Sequence, residues 1–148
     1  MRIRRFTEAD ATDLYEVLSD PEVMKYIDPP YSMEKTKQFI NNFGLCEPPK
    51  VYAAENDEAE FVGYVIFHEY DSDSMEIGWL IKKKYWGKGY ATELTRELLH
   101  KATALGKQAV IECDPKQEIT KTIALHAGFS EIAEQAGVVI MRKILTEK

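Results

Sequence analysis

The chain has 148 residues, enough for one domain with a sizeable buried core, and its 45% hydrophobic and 30% charged residues give a globular rather than a disordered balance. A net charge of −6 disfavours nucleic acid as a partner, and no apolar run reaches the roughly 18 residues of a membrane helix. The start, MRIRRFTEAD, lacks the apolar stretch of a signal peptide, and Cys46 and Cys113 have neither metal-ligand spacing nor the number for a disulfide framework, so we expect one cytoplasmic domain over 1–148 with no metal and no membrane contact.

Residues Arg2 to Phe6 read as a short first strand. Thr7 can cap a helix with Asp10 three residues on, and Ala11, Leu14, Tyr15 and Leu18 make its apolar face. Asp20-Pro21 looks like the start of a second helix, Pro29-Pro30 breaks the chain, and Ser32 can cap a further helix through Phe39, Ile40 and Phe43. The period then changes. Val51 to Glu55, Phe61 to Tyr70 and Met75 to Ile81 read as a meander of three strands separated by polar turns. Ala91, Leu94, Leu98, Ala102 and Leu105 lie on one stripe of a long helix ending at Gly106, with Glu97 and Lys101 spaced to support it. A short strand from Ala109 to Cys113, a helix from Thr120 to Ala127 and a last strand from Val138 to Leu145 complete the chain. Partial alternation of strands and helices points to an α+β fold, a mixed sheet flanked by helices. The last strands are a candidate homodimer surface.

The informative stretch is EIGWLIKKKYWGKGYATE, residues 76–93, where a strand leads into a glycine loop and a long helix starts at once. Such a helix start presents unpaired N–H groups at the positive end of the helix dipole, and glycines let an anion come close to the backbone. Lys82, Lys83, Lys84 and Lys88 add charge there, although a lysine run is also an ordinary solvated face. An isolated GxG is equally a plain strand-to-helix turn. Two phosphate loops fail: Tyr90 follows Gly89 where a P-loop has Lys-Ser or Lys-Thr, and Thr92 stands where the dinucleotide fingerprint has its third glycine.

Trp86-Gly87-Lys88-Gly89-Tyr90-Ala91 resembles the pyrophosphate signature Q/R-x-x-G-x-G/A of the GNAT acetyltransferases, with tryptophan in the first place. WGKGYATE preceded by EIGW is similar to the RimJ/RimL branch, which acetylates N-terminal amines of ribosomal proteins, and RRFTEADATDLYEVLSDPEVMKYI and residues 111–129, ending HAGF, extend the likeness over most of the chain. The resemblance implies a GNAT fold, with a mostly antiparallel twisted sheet of about six or seven strands and about four helices. It implies acetyl-coenzyme A as cosubstrate and an amine as acceptor. Trp79, Leu80 and Ile81 would then offer backbone groups to the pantetheine arm, Trp86 and Gly87 through Thr92 would hold the pyrophosphate, and Gln117 would stand where the family has an asparagine.

Acetyl transfer from a thioester to an amine needs placement, a neutral amine, an oxyanion donor and a proton for the thiolate. Near pH 7 roughly one α-amine in seven is neutral, against roughly one lysine amine in 2,500, so an N-terminal acceptor needs only modest base help. Glu76, on the cofactor strand, is the first candidate base, with a plain salt-link reading beside it, and the resemblance makes Glu112, five residues before Gln117, the second. His68 and His126 lie outside the matched motifs. The tyrosine many members place four residues before the late Gly-Phe is Ala124 here, which leaves Thr120, solvent or no acid to protonate the thiolate, and keeps a silent acetyl-coenzyme A-binding module as the alternative. Tyr26, Tyr31, Phe43, Phe67 and Tyr70 are candidates for an acceptor pocket or for core.

Overall fold

The computed structural model of the chain describes residues 1–144, so the expected end of the last strand at Leu145 lies outside the described residues. Strand β1 (Arg2–Arg4) is shorter than expected because Phe6 already turns into the core. A single 3-10 turn, Glu8–Asp10, runs into α1 (Ala11–Leu18), and Asp10 accepts a hydrogen bond from the Thr7 amide at 2.8 Å. Ala11, Leu14, Val17 and Leu18 form the buried stripe of α1. The helix expected at Asp20-Pro21 does not form. Residues 21–27 are consecutive turns, the Asp20 carboxylate accepts from the Glu22 amide at 2.8 Å, and Pro29 disfavours helical backbone at Asp28. Ser32 does cap α2 (Met33–Phe39), accepting from the Lys35 amide at 3.1 Å, and the helix widens into one π turn over Ile40–Gly44.

Strands β2 (Val51–Glu55), β3 (Phe61–Asp71) and β4 (Ser74–Ile81) form the expected meander, then come α3 (Tyr90–Ala104), β5 (Gln108–Cys113), α4 (Glu118–His126), β6 (Ser130–Gln135) and β7 (Val138–Lys143). Among the described residues they make one seven-stranded sheet in the order β1-β2-β3-β4-β5-β7-β6, antiparallel throughout except between β4 and β5, with four helices on its faces. Strand β6 had no counterpart in the sequence reading, and the Glu97–Lys101 ion pair expected on α3 is not made. Alternation along each strand feeds two cores. Ile77 and Ile81 pack with Leu94, Leu98, Ile111 and Met141 beneath α3 and α4, while Leu80, Tyr64 and Ala53 pack beneath α1 and Ile40. No helix among the described residues is long and apolar enough to cross a membrane.

The parallel joint is incomplete. Ser74, Met75 and Glu76 pair with Gln108, Ala109 and Val110, and no pairing continues beyond them. From Ile77 on β4 and Ile111 on β5, the two strands therefore splay and leave a wedge in the middle of the sheet.

Candidate active site

The register settles which backbone groups line that wedge. The Lys82 amide donates to the Val62 carbonyl at 2.8 Å, which makes that pair a hydrogen-bonded one. Antiparallel alternation then turns the N–H and C=O groups of Leu80, Gly78 and Glu76 toward β3, and those of Ile77, Trp79 and Ile81 toward the wedge. Trp79 and Ile81 thus stand where an extended ligand could add as a strand, whereas Leu80, expected beside them, is held by β3. The Ile81 carbonyl already accepts from the Trp86 indole N–H at 2.9 Å, which ties the loop back to the strand it leaves.

That loop bends through Gly87 and Gly89, at φ of 77° and 82°, into α3. No side chain caps α3, and the first amide to find an acceptor there is Glu93, on the Gly89 carbonyl at 3.1 Å. The N–H groups of Gly87 through Thr92 have no protein acceptor among the described residues, and a Cβ built on Gly87 or Gly89 meets nothing within 4 Å. An open, uncapped helix start of this kind is an anion site. Tyr90 turns its ring inward toward Tyr85, 6.0 Å between centroids, and offers the loop only its backbone. The lysine cluster is largely diverted: Lys82 is buried with its ammonium 2.8 Å from Asp13 and 3.3 Å from Glu16 of α1, and Lys83 pairs with Glu22. Lys84 and Lys88, both exposed, remain for an anion.

Glu76 closes the apex of the wedge, being the last residue of β4 that pairs with β5. His68 lies opposite it on β3, with Nε2 3.3 Å from Glu76 Oε1. Glu112, two residues past the joint on β5, accepts from the Tyr70 hydroxyl at 2.7 Å, and that bond pushes the phenol up to about 12. Arg142 of β7 completes the patch, 2.9 Å from Gln108 Oε1 and 3.2 Å from Asp71 Oδ2. Residues 1–130 match the family model described as the acetyltransferase (GNAT) domain. The chain belongs to that family. The uncharacterized N-acetyltransferase YnaD of Bacillus subtilis is 34% identical over 99 residues, a match covering 66% of this chain and 58% of YnaD, so the chain spans well under two thirds of that relative. A GNAT-family acetyltransferase structure from Bacillus anthracis superposes with a TM-score of 0.85 at 24% identity, covering 96% of this chain and 93% of the other. A ribosomal-protein-alanine N-acetyltransferase from Brucella melitensis gives 0.74 at 21%, covering 98% and 100%, and both show the same fold.

Acetyl-coenzyme A is the cosubstrate of GNAT acetyltransferases, and the residues here fit it: the uncapped amides and the open glycines suit a pyrophosphate, and the wedge suits an extended arm. The family's late positions are placed as follows. Gln117 stands at the start of α4, after the end of β5, with its carboxamide oxygen accepting from the Asp114 amide at 2.7 Å. Ala124, in the tyrosine position, is fully buried in the core, and Thr120 is half-buried on the first turn of α4. Of the aromatic candidates only Tyr70 joins the carboxylate patch. Tyr31 and Phe43 each pack on Phe39, Phe67 packs against the core beneath α3 and α4, and Tyr26 is exposed. Sequence reasoning set His68 aside as outside the matched motifs and did not raise Arg142; the signal for the first is its register opposite Glu76.

Proposed function

We propose that this chain acetylates a primary amine by direct attack in a ternary complex, with Glu76 as the base. The observation that supports it is the meeting, at one place, of a mid-sheet wedge with free amides, an uncapped glycine loop and a carboxylate at the wedge's apex. Bound acetyl-coenzyme A supplies the activated acetyl carbonyl. The chain's part is to hold and orient: amides of Gly87 through Thr92 on the pyrophosphate, with Trp86 bracing the loop, the Trp79 and Ile81 backbone along the arm, and the Gln117 NH₂ from the start of α4. A wedge-facing β4 amide is the oxyanion donor, a role typically worth about 2.7–4 kcal/mol. Glu112, carrying the Tyr70 proton donor, faces the acceptor beside Glu76.

The RimJ/RimL-like string and the Brucella fold neighbour favour a protein N-terminal α-amine as acceptor, the amine that asks least of a base. The test is release of coenzyme A thiol from acetyl-coenzyme A with N-terminal peptides, polyamines, amino acids and aminoglycosides offered in parallel. Turnover with peptides carrying a free N-terminus is expected. Turnover confined to a small amine would overturn the N-terminal reading, and binding of coenzyme A with no turnover across the panel would overturn the catalytic one.

A further inference from the structure

His68 occupies a position whose chemistry neither the family motif nor the carboxylate assignment uses. Its Nδ1 lies 3.0 Å from the Glu69 carbonyl oxygen, and its Nε2 lies 3.3 Å from Glu76 Oε1. The Glu69 carbonyl and the Glu76 carboxylate both only accept, so the imidazolium donates to both at once, and the neutral ring keeps one of those two donors. When Glu76 carries a proton its O–H can donate to Nε2, and the neutral ring then keeps its Nδ1–H on the Glu69 carbonyl; in the imidazolium an N–H is aimed at Glu76. The His68 side chain is 29% exposed, so the ring exchanges protons with water while staying seated against the carboxylate.

From this geometry we propose that His68 is the positioning and proton-relay residue behind Glu76. The inference rests on the reading of Glu76 as base. A proton leaves the acceptor ammonium for a Glu76 oxygen. Glu76 passes it to Nε2 of neutral His68, which restores the carboxylate and leaves an imidazolium, and the imidazolium returns the proton to water. The freed amine forms its N–C bond to the acetyl carbon, the C–S bond breaks, and the second amine proton ends on the departing sulfur. The charge environment suits the cycle. The Glu76 carboxylate holds the imidazolium above the ordinary histidine value, burial pulls the other way, the Glu69 carbonyl adds to the rise, and Lys50 ahead of β2 opposes it. On the β5 side the facing groups are Glu112, held by Tyr70, and Arg142, held by Asp71 and Gln108.

The experiment follows kcat and kcat/KM across neutral pH for the wild type, His68→Gln, His68→Ala and Glu76→Gln, with coenzyme A affinity measured for each. A glutamine at 68 still donates to Glu76 but cannot take a proton. The relay predicts a kcat for His68→Gln down by at least about tenfold with the acid limb of the profile displaced, and His68→Ala rescued by added imidazole in proportion to its neutral form. Coenzyme A affinity of His68→Gln and His68→Ala stays within about twofold, since the His68 ring contacts the Glu69 carbonyl and the Glu76 carboxylate rather than the glycine loop or the wedge-facing amides. His68→Gln with the wild-type rate and profile, while Glu76→Gln is inactive, overturns the relay alone. Glu76→Gln at the wild-type rate overturns the base and the relay together. Independent of turnover, the ring-nitrogen shifts of neutral His68 are expected to show the proton on Nδ1, and a neutral ring protonated on Nε2 overturns the proposal.

Discussion

At Gly89 a Cβ would meet no protein atom within 4 Å, yet the residue sits at a φ of 82° that L side chains rarely adopt. Gly89→Ala therefore costs the fold only the left-handed strain, about 1–2 kcal/mol, while its methyl projects into the space proposed for the pyrophosphate. Calorimetric titration with coenzyme A should show affinity down at least about tenfold, with a melting temperature lowered by no more than that strain implies. Gly63 is the opposite case. A Cβ there would lie 2.1 Å from the Leu80 carbonyl oxygen and 2.9 Å from the Ile81 Cα, so β3 and β4 approach as closely as they do only because position 63 is bare. Gly63→Ala should destabilise by about 1–3 kcal/mol in denaturant titration, and it should also weaken coenzyme A because the displaced strand is the one lining the wedge. The first glycine was legible in the sequence through its spacing with Gly87 and the helix behind it. The second reads as one residue of FVGYVIF, because a close backbone approach leaves no trace in local pattern.

Arg4 links three elements. Its guanidinium donates to Glu55 of β2 at 2.7 Å and to both oxygens of Asp10, ahead of α1, at 2.8 and 2.9 Å. Burial alone would raise the Asp10 carboxyl, but Arg4 and the Thr7 amide outweigh it and hold it below its ordinary value. A carboxyl depressed in the folded chain stabilises above the unfolded value and loses that contribution as pH falls through the folded one. Asp71, drawn down to about 2 by the Ser74 hydroxyl, the Asp73 amide and Arg142, acts in the same window. Stability should therefore decline below about pH 4. Arg4→Met should lower it by roughly 3 kcal/mol at neutral pH by stranding the buried Asp10 carboxylate and leaving Glu55 only Arg2, 3.6 Å away, and should flatten the acid decline. Chemical denaturation at a series of pH values reads both. At this scale the sequence was legible wherever an element buries a face: α1, the meander, α3 and β5 all carry the period of their structure. Strand β6, SEIAEQ, buries almost nothing and takes its form from pairing with β7 alone, so no alternation marks it. The turns after Asp20 failed as a helix for a related reason, since only Met24 within them is buried and Pro29 waits downstream.

Among the described residues the sheet has one parallel joint, between β4 and β5, where three residue pairs are followed by a gap. Glu76 and Glu112 were legible as candidates through their places in the resembled motifs, but the alternation of the β4 backbone was not, because it depends on which β3–β4 pairs are the hydrogen-bonded ones. That alternation makes a prediction specific to single amides. In hydrogen exchange without ligand, Gly78 and Leu80, bonded to β3, should be protected, while Trp79 and Ile81 should exchange fast even though they lie in the centre of a seven-stranded sheet. With coenzyme A at a hundredfold excess over its dissociation constant, stability should rise by about 2.7 kcal/mol. Protection should then appear at Trp79, at Ile81 and along Gly87 to Thr92, leaving Gly78 and Leu80 as they were. Should Leu80 gain protection on binding instead, the register argument is reversed and the ligand adds to the other set of amides. Uniform protection of all four without ligand would mean that the wedge closes in solution, and that the cosubstrate has to open a strand pair before it can replace one.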